Sequence, residues 1–145
     1  MIDQLTTRDI VVESVLPHRA DVVWKTLTTS DLIARWLMPN DFQPVVGHRF
    51  TFKTRPMGDW DGVVQCEVLE SEPNRRLVYS WIGKTGPDGL DSVVTWTLSP
   101  ADGGTRVRMV HSGFRSPDND SAYDAMSPGW GRILEAVGRI AAELD

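Results

Sequence analysis

The sequence predicts an α+β domain in which a curved antiparallel six-stranded sheet wraps around a long C-terminal helix, with two short helices between strands 1 and 2. Three observations predict it. The stretch Ser127 to Leu144, SPGWGRILEAVGRIAAEL, places Trp130, Ile133, Leu134, Val137, Ile140, Ala141 and Leu144 at the i, i+3, i+4, i+7 spacing of one helical stripe. Five segments between residues 46 and 112 alternate apolar with polar residues and are joined by short turns, the pattern of an antiparallel meander with one apolar face. One further β-rich segment precedes the helices. Pairing it with the last strand of the meander would close the sheet around the long helix.

In chain order, residues 8–16, RDIVVESVL, read as a strand with Ile10, Val12 and Ser14 on one face and Val11, Glu13 and Val15 on the other, and Pro17 ends it. Residues 20–28 carry Val23, Trp24 and Leu27 at helical spacing. Ser30 or Asp31 caps a second short helix, DLIARWL, which Pro39 stops. In the meander, 46–54 turns His48, Phe50 and Phe52 to one face, and 62–70 turns Val64, Cys66 and Val68. Leu77, Tyr79 and Trp81 follow in 75–82, Val94, Trp96 and Leu98 in 91–99, and Val107, Met109 and His111 in 105–112. RPMGDWD at 55–61, Pro73-Asn74 and Asp102-Gly103-Gly104 mark turns, and GKTGPDG at 83–89 reads as a surface loop. Residues 113–126 are polar and read as irregular, with a helical turn at 121–126. For the long helix, Ser127 fits the N-cap and Pro128 the first helical position, where a missing N–H costs nothing. Gly129, Gly131 and Gly138 each lower its propensity by roughly 1 kcal/mol, so the helix needs a large apolar surface to lie on.

The bulk numbers fit one domain spanning 1–145, with 41% apolar and 24% charged residues. A net charge of −5 with mixed signs disfavours nucleic acid, which needs a concentrated basic surface. No apolar run approaches the ~18 residues of a membrane span. The opening MIDQLTTRD lacks the basic and apolar regions of a secretory signal. Cys66 is the only cysteine, so an intrachain disulfide is impossible and a cytoplasmic location is expected.

The order of elements resembles the helix-grip fold of the START and birch-pollen-allergen (Bet v 1-like) superfamily. The residues that carry the likeness are RADVVWKTLTTSDLIARWL at 19–37, PVVGHRFTF at 44–52, GVVQCEVLESEPNRRLVYSW at 62–81, SVVTWTLSPADGGTRVRMVHSGF at 92–114 and GWGRILEAV at 129–137. In detail they look like the branch named for the activator of the heat-shock-protein-ninety ATPase, also called SRPBCC or polyketide-cyclase-like. The resemblance implies a ligand wedge between sheet and helix, and a superfamily whose members bind small hydrophobic molecules, cyclise polyketides or act as co-chaperones. Eukaryotic co-chaperones of this branch carry a separate N-terminal domain that engages the chaperone. This sequence shows none, which counts against that activity.

Six Trp form an unusual aromatic inventory. Trp24 belongs to the core, whereas Trp36, Trp60, Trp81, Trp96 and Trp130 come from five separate elements that converge on the wedge. They either pack it or line a pocket. His111, on an apolar strand face, is either a hydrogen-bonded core residue or a polar anchor capable of acid–base work. The expected ligand site has Phe52, Trp81, Trp96 and Met109 as its sheet wall and Trp130, Ile133 and Leu134 as its helix wall. Trp36 and Trp60 form its mouth and His111 its anchor. The expected partner is a small hydrophobic or aromatic molecule, with no cofactor, nucleic acid or membrane. Rival readings are a cyclase- or dehydratase-like enzyme using His111, and a chaperone-binding or stress-related homodimer without ligand. No HExxH, CxxC, Walker or G-x-S-x-G pattern is present, and Asp59 and Asp61 read as turn residues rather than a metal site.

Overall fold

The computed structural model describes residues 6–83 and 89–145. The 83–89 loop therefore lies almost wholly outside the described residues. Strand β1 (Thr6–Leu16) is followed by helices α1 (Ala20–Thr28) and α2 (Ser30–Trp36). Strands β2 (Arg49–Lys53), β3 (Val63–Glu72), β4 (Arg76–Ile82), β5 (Asp91–Ala101) and β6 (Gly104–Ser116) come next, and helix α3 (Asp120–Leu144) closes the order. The strands form one antiparallel sheet, β1-β6-β5-β4-β3-β2, so β1 does pair with the last strand of the meander. This is the α+β helix-grip architecture.

Alternation decides which residues are buried. Phe50 and Phe52, Val64, Cys66 and Val68, Leu77, Tyr79 and Trp81, Val94, Trp96 and Leu98, and Val107, Met109 and His111 all face the core. Trp130, Leu134, Val137, Ile140 and Ala141 meet them from α3. Each such side chain contributes about 1.5–3 kcal/mol when buried. That gain carries a helix whose interior glycines would leave it unstable alone.

Three boundaries differ from the sequence-based expectation by three residues or more. β2 starts at Arg49 rather than 46, because Gly47 at φ +90° and a His48 N–H to Val45 carbonyl bond of 3.0 Å turn the chain first. β6 runs on to Ser116, since Phe114 and Arg115 find partners in Arg8 and Thr7 of β1. The largest difference is in α3, which begins at Asp120 and holds Pro128 in its interior. An interior proline loses one backbone hydrogen bond and costs about 3 kcal/mol. Tertiary contacts of the first two turns offset this. Ala122, Tyr123 and Met126 pack on the core. Tyr123 meets Phe114 edge to face at 5.5 Å. The Arg8 guanidinium lies 3.8 Å from the Tyr123 ring centroid and bonds Asp120 at 2.7 Å.

Candidate functional site

The concave face of the sheet opposite α3 is filled by rings at its centre. Trp96 meets Trp36 at 5.6 Å and Trp130 at 6.1 Å between centroids. Trp81 meets Trp130 at 5.8 Å, His111 at 5.3 Å and Phe52 at 5.4 Å. These separations are those of tilted and edge-to-face aromatic pairs, which prefer such geometry over a sandwich.

His111 is fully buried and sits in a chain of hydrogen bonds whose direction can be derived. The Trp130 indole N–H, a donor only, lies 3.0 Å from His111 Nδ1, so Nδ1 must be the acceptor. A neutral imidazole then carries its proton on Nε2, which donates to Ser92 Oγ at 2.8 Å. The Ser92 hydroxyl in turn donates to the Trp81 carbonyl at 2.8 Å. Every proton has one acceptor. Burial lowers the His111 pKa to about 3, because a cation here would lose its hydration. Protonation would also set two N–H groups against each other at Trp130. The residue expected to anchor a ligand thus has both nitrogens engaged within the protein.

A cavity of about 500 Å³ opens beside this aromatic floor, at the N-terminal end of α3. Its walls include Met38, Val64, Trp81 and Leu90, together with Met57 and Trp60 of the β2–β3 turn and Ala122 and Met126 of α3. Asp118, Ser121 and Thr54 add polar groups, and Gly83 completes the lining. The volume suits a small organic molecule. Two larger depressions, of about 860 and 830 Å³, lie elsewhere. One is beside the C-terminal Asp145, with Arg19 and Arg75 on its walls, and the other is between β1 and α3, with Glu13, Glu135 and Arg139.

Local chemistry fixes the walls. Gly62 has φ +80°, and a Cβ there would run into the Thr54 carbonyl oxygen, so glycine allows the turn to fold back on β2. Trp60 is then seated by its indole N–H, shared between the Val63 and Gly83 carbonyls at 3.1 and 3.0 Å. On the opposite side, Arg115 Nη2 and Asn119 Nδ2 both donate to the Gly89 carbonyl, at 2.6 and 3.1 Å. They fasten the segment carrying Leu90 to the start of α3.

Of the ten expected ligand residues, Trp60 and Trp81 line this cavity. Trp36, Phe52, Trp96, Met109, His111, Trp130 and Leu134 are buried behind it, and Ile133 is half-buried on α3. The sequence reading missed Met38, Met57, Leu90, Ala122 and Met126. Continuing the α3 stripe backwards from Trp130 by fours reaches Met126 and Ala122, a signal obscured by Pro128.

Other candidates take ordinary roles. Cys66 is buried and its thiol pKa is pushed up, first by desolvation and then by Asp41. His18 Nδ1 lies 2.7 Å from Asp145 Oδ2, and His48 Nε2–H donates to the Asp41 carbonyl. Asp61 accepts from the Val63 N–H at 3.0 Å. Among the described residues no group of three or more His, Cys, Asp or Glu side chains is placed to hold a metal ion. No helix among them is long and apolar enough to cross a membrane.

The chain is similar to several solved structures. Protein MLL2253 from Mesorhizobium loti is 44% identical, with a TM-score of 0.84 over 95% of this chain and 99% of that one. Bacillus halodurans protein BH1534 is 26% identical, with a TM-score of 0.76 over 92% and 96%. The Aha1 dimer from Colwellia psychrerythraea shares the fold at 18% identity, with a TM-score of 0.75 over 90% and 93%. Among curated proteins none matches this chain. The model of the family described as Activator of Hsp90 ATPase homolog 1-like protein matches residues 17–142, nearly the whole length, and the chain belongs to that family.

Proposed function

We propose that the protein binds a small apolar molecule, held in the cavity between the N-terminal end of α3, the β2–β3 turn and the ends of β3 and β4. The observation that carries this reading is the apolar, Met- and Trp-lined wall of that 500 Å³ space. Three methionines supply polarisable surface that adapts to ligand shape. Trp60 and Trp81 are the direct contacts. Phe52, Trp96, Met109, His111, Trp130 and Leu134 act behind them as a rigid floor, with Trp36 and Ile133 at its margins. Binding without chemistry is favoured over a cyclase- or dehydratase-like reaction, because His111 has no free lone pair or accessible proton to offer a substrate.

The test is Trp fluorescence and thermal melting across a panel of apolar aromatic molecules. A saturable quench with a raised Tm is expected, as mass action requires of a native-state ligand. Ala122→Phe, which fills the cavity from α3, should abolish the quench while the protein stays folded. A flat response of the unaltered protein across the panel would overturn the reading. The Colwellia neighbour is described as a dimer. Edge strand β1, with Val11 and Val15 exposed, is the surface on which a second copy of this chain would pair. Sedimentation of the purified protein decides that point.

A further inference from the structure

Among the described residues, the cavity lining carries one N–H donor, on a buried side chain, without an acceptor. The other buried or half-buried indoles around the wedge are spoken for. Trp36 donates to the Thr26 carbonyl at 2.9 Å, and Trp96 to the Tyr79 hydroxyl at 3.1 Å. Trp130 donates to His111, and Trp60 to two carbonyls. Trp81 Nε1–H donates to no acceptor among the described residues. It is also not a sealed atom, since Arg8 Nε is the one buried side-chain polar atom found there without a partner. Trp81 as a whole is only 4% exposed. Phe52, His111 and Trp130 crowd its ring, and Trp81 lines the cavity.

An indole N–H facing a mostly apolar space loses its water when a ligand enters. A ligand without an acceptor leaves that donor unpaired, a penalty an acceptor-bearing ligand avoids. The position is also well held. The Trp81 carbonyl is fixed by Ser92, and the ring is wedged between its aromatic neighbours. The donor is therefore preorganised, with little ordering left to occur on binding.

We propose that the ligand of this cavity is an apolar aromatic molecule bearing a ketone or ether oxygen, and that Trp81 Nε1–H is the group that selects it. This rests on the cavity reading above and adds to it a chemical class and a selecting residue. A plain hydrocarbon of the same shape would fit the walls and forgo the bond.

The test uses two probes of equal shape, benzophenone and diphenylmethane, titrated into the full chain and into Trp81→Phe. Their Kd values are read by calorimetry. The hydrocarbon partitions more readily into any apolar space, so the readout is the ratio of the two Kd values in each protein. In Trp81→Phe the ratio should move toward the hydrocarbon by roughly tenfold, the worth of one hydrogen bond. A ratio unchanged by the substitution overturns the assignment and leaves the cavity reading standing. Absence of binding by either probe to the unaltered protein overturns both. Should Trp81→Phe fail to fold, the indole N–H resonance of Trp81 in the unaltered protein decides. Benzophenone should move it downfield and diphenylmethane should not, and equal shifts refute the proposal.

Discussion

His111 makes the stability of this protein depend on pH in a way that one substitution isolates. Its folded pKa is lowered to about 3 from an ordinary 6.5, so between those values the unfolded chain binds one proton more than the folded one. Stability from the neutral, bonded imidazole is complete above pH 6.5 and is lost as pH falls towards 3. The loss is about 1.4 kcal/mol per pH unit, or roughly 2.7 kcal/mol between pH 6.5 and 4.5. His111→Gln removes this linkage. At pH 7 the variant should be the weaker protein by about 1–3 kcal/mol, because the Trp130 N–H and Ser92 lose well-placed partners in a dry site. Its urea midpoint should fall less steeply with acid, so the two profiles converge near pH 5. His18, His48 and the carboxylates are common to both proteins and cancel in the difference. Urea denaturation at half-unit steps from pH 7.5 to 4.5 measures it. Parallel profiles over that range would refute the buried, neutral assignment and the direction of the hydrogen-bond chain with it.

Four further outcomes are expected. Trp130→Ala should cost about 3–5 kcal/mol in urea denaturation, as for other large core aromatics; a loss under about 1 kcal/mol would contradict a filled wedge. Gly62→Ala should lower Tm more than Gly58→Ala, because both have positive φ but only Gly62 faces the Thr54 carbonyl; equal losses would dispute that close approach. Arg8→Ala should speed amide exchange in residues 121–127 and leave 130–144 unchanged, since Arg8 anchors only the first turns of α3. Cys66, buried and with its pKa pushed up, should resist iodoacetamide at pH 8 in the folded protein and react once unfolded; prompt alkylation of the native state would show the site open.

The inward face of every strand was legible because period-two alternation is a local signal, and one buried face enforces its register. Phe52, Trp96 and Met109 could therefore be placed without any tertiary information. Val78 shows the limit. It lies on the outer face by alternation yet is 4% exposed, because cover by neighbouring side chains is not written in the period. The start of α3 was misread for a physical reason. Pro128 is the best first-turn residue in the chain, and only tertiary contacts make a longer helix worthwhile, among them those of Phe114 and the distant Arg8 with Tyr123 and of Met126 with the core. The aromatic convergence was legible, but the division between floor and cavity was not. It depends on Trp60 and Leu90, which sit in connections whose course is set by the Gly62 turn and by the Arg115 and Asn119 bonds to Gly89.

Apolar slabs slide over one another at little cost, since one methyl contact replaces another. A helix resting on a sheet only through Leu, Val and Ile could shift by a residue or rotate a few tens of degrees. The bond from Trp130 through His111 and Ser92 to the Trp81 carbonyl admits no such drift, because each link has one donor and one acceptor in one orientation. It keys α3 to three strands, β6, β5 and β4, at the level where the cavity begins. Any motion of the helix that would enlarge the cavity towards Trp130 must first break a buried polar link. A motion that leaves this link intact is confined to the rim, at the turn carrying Met57 and Trp60, and the floor of the cavity keeps its shape.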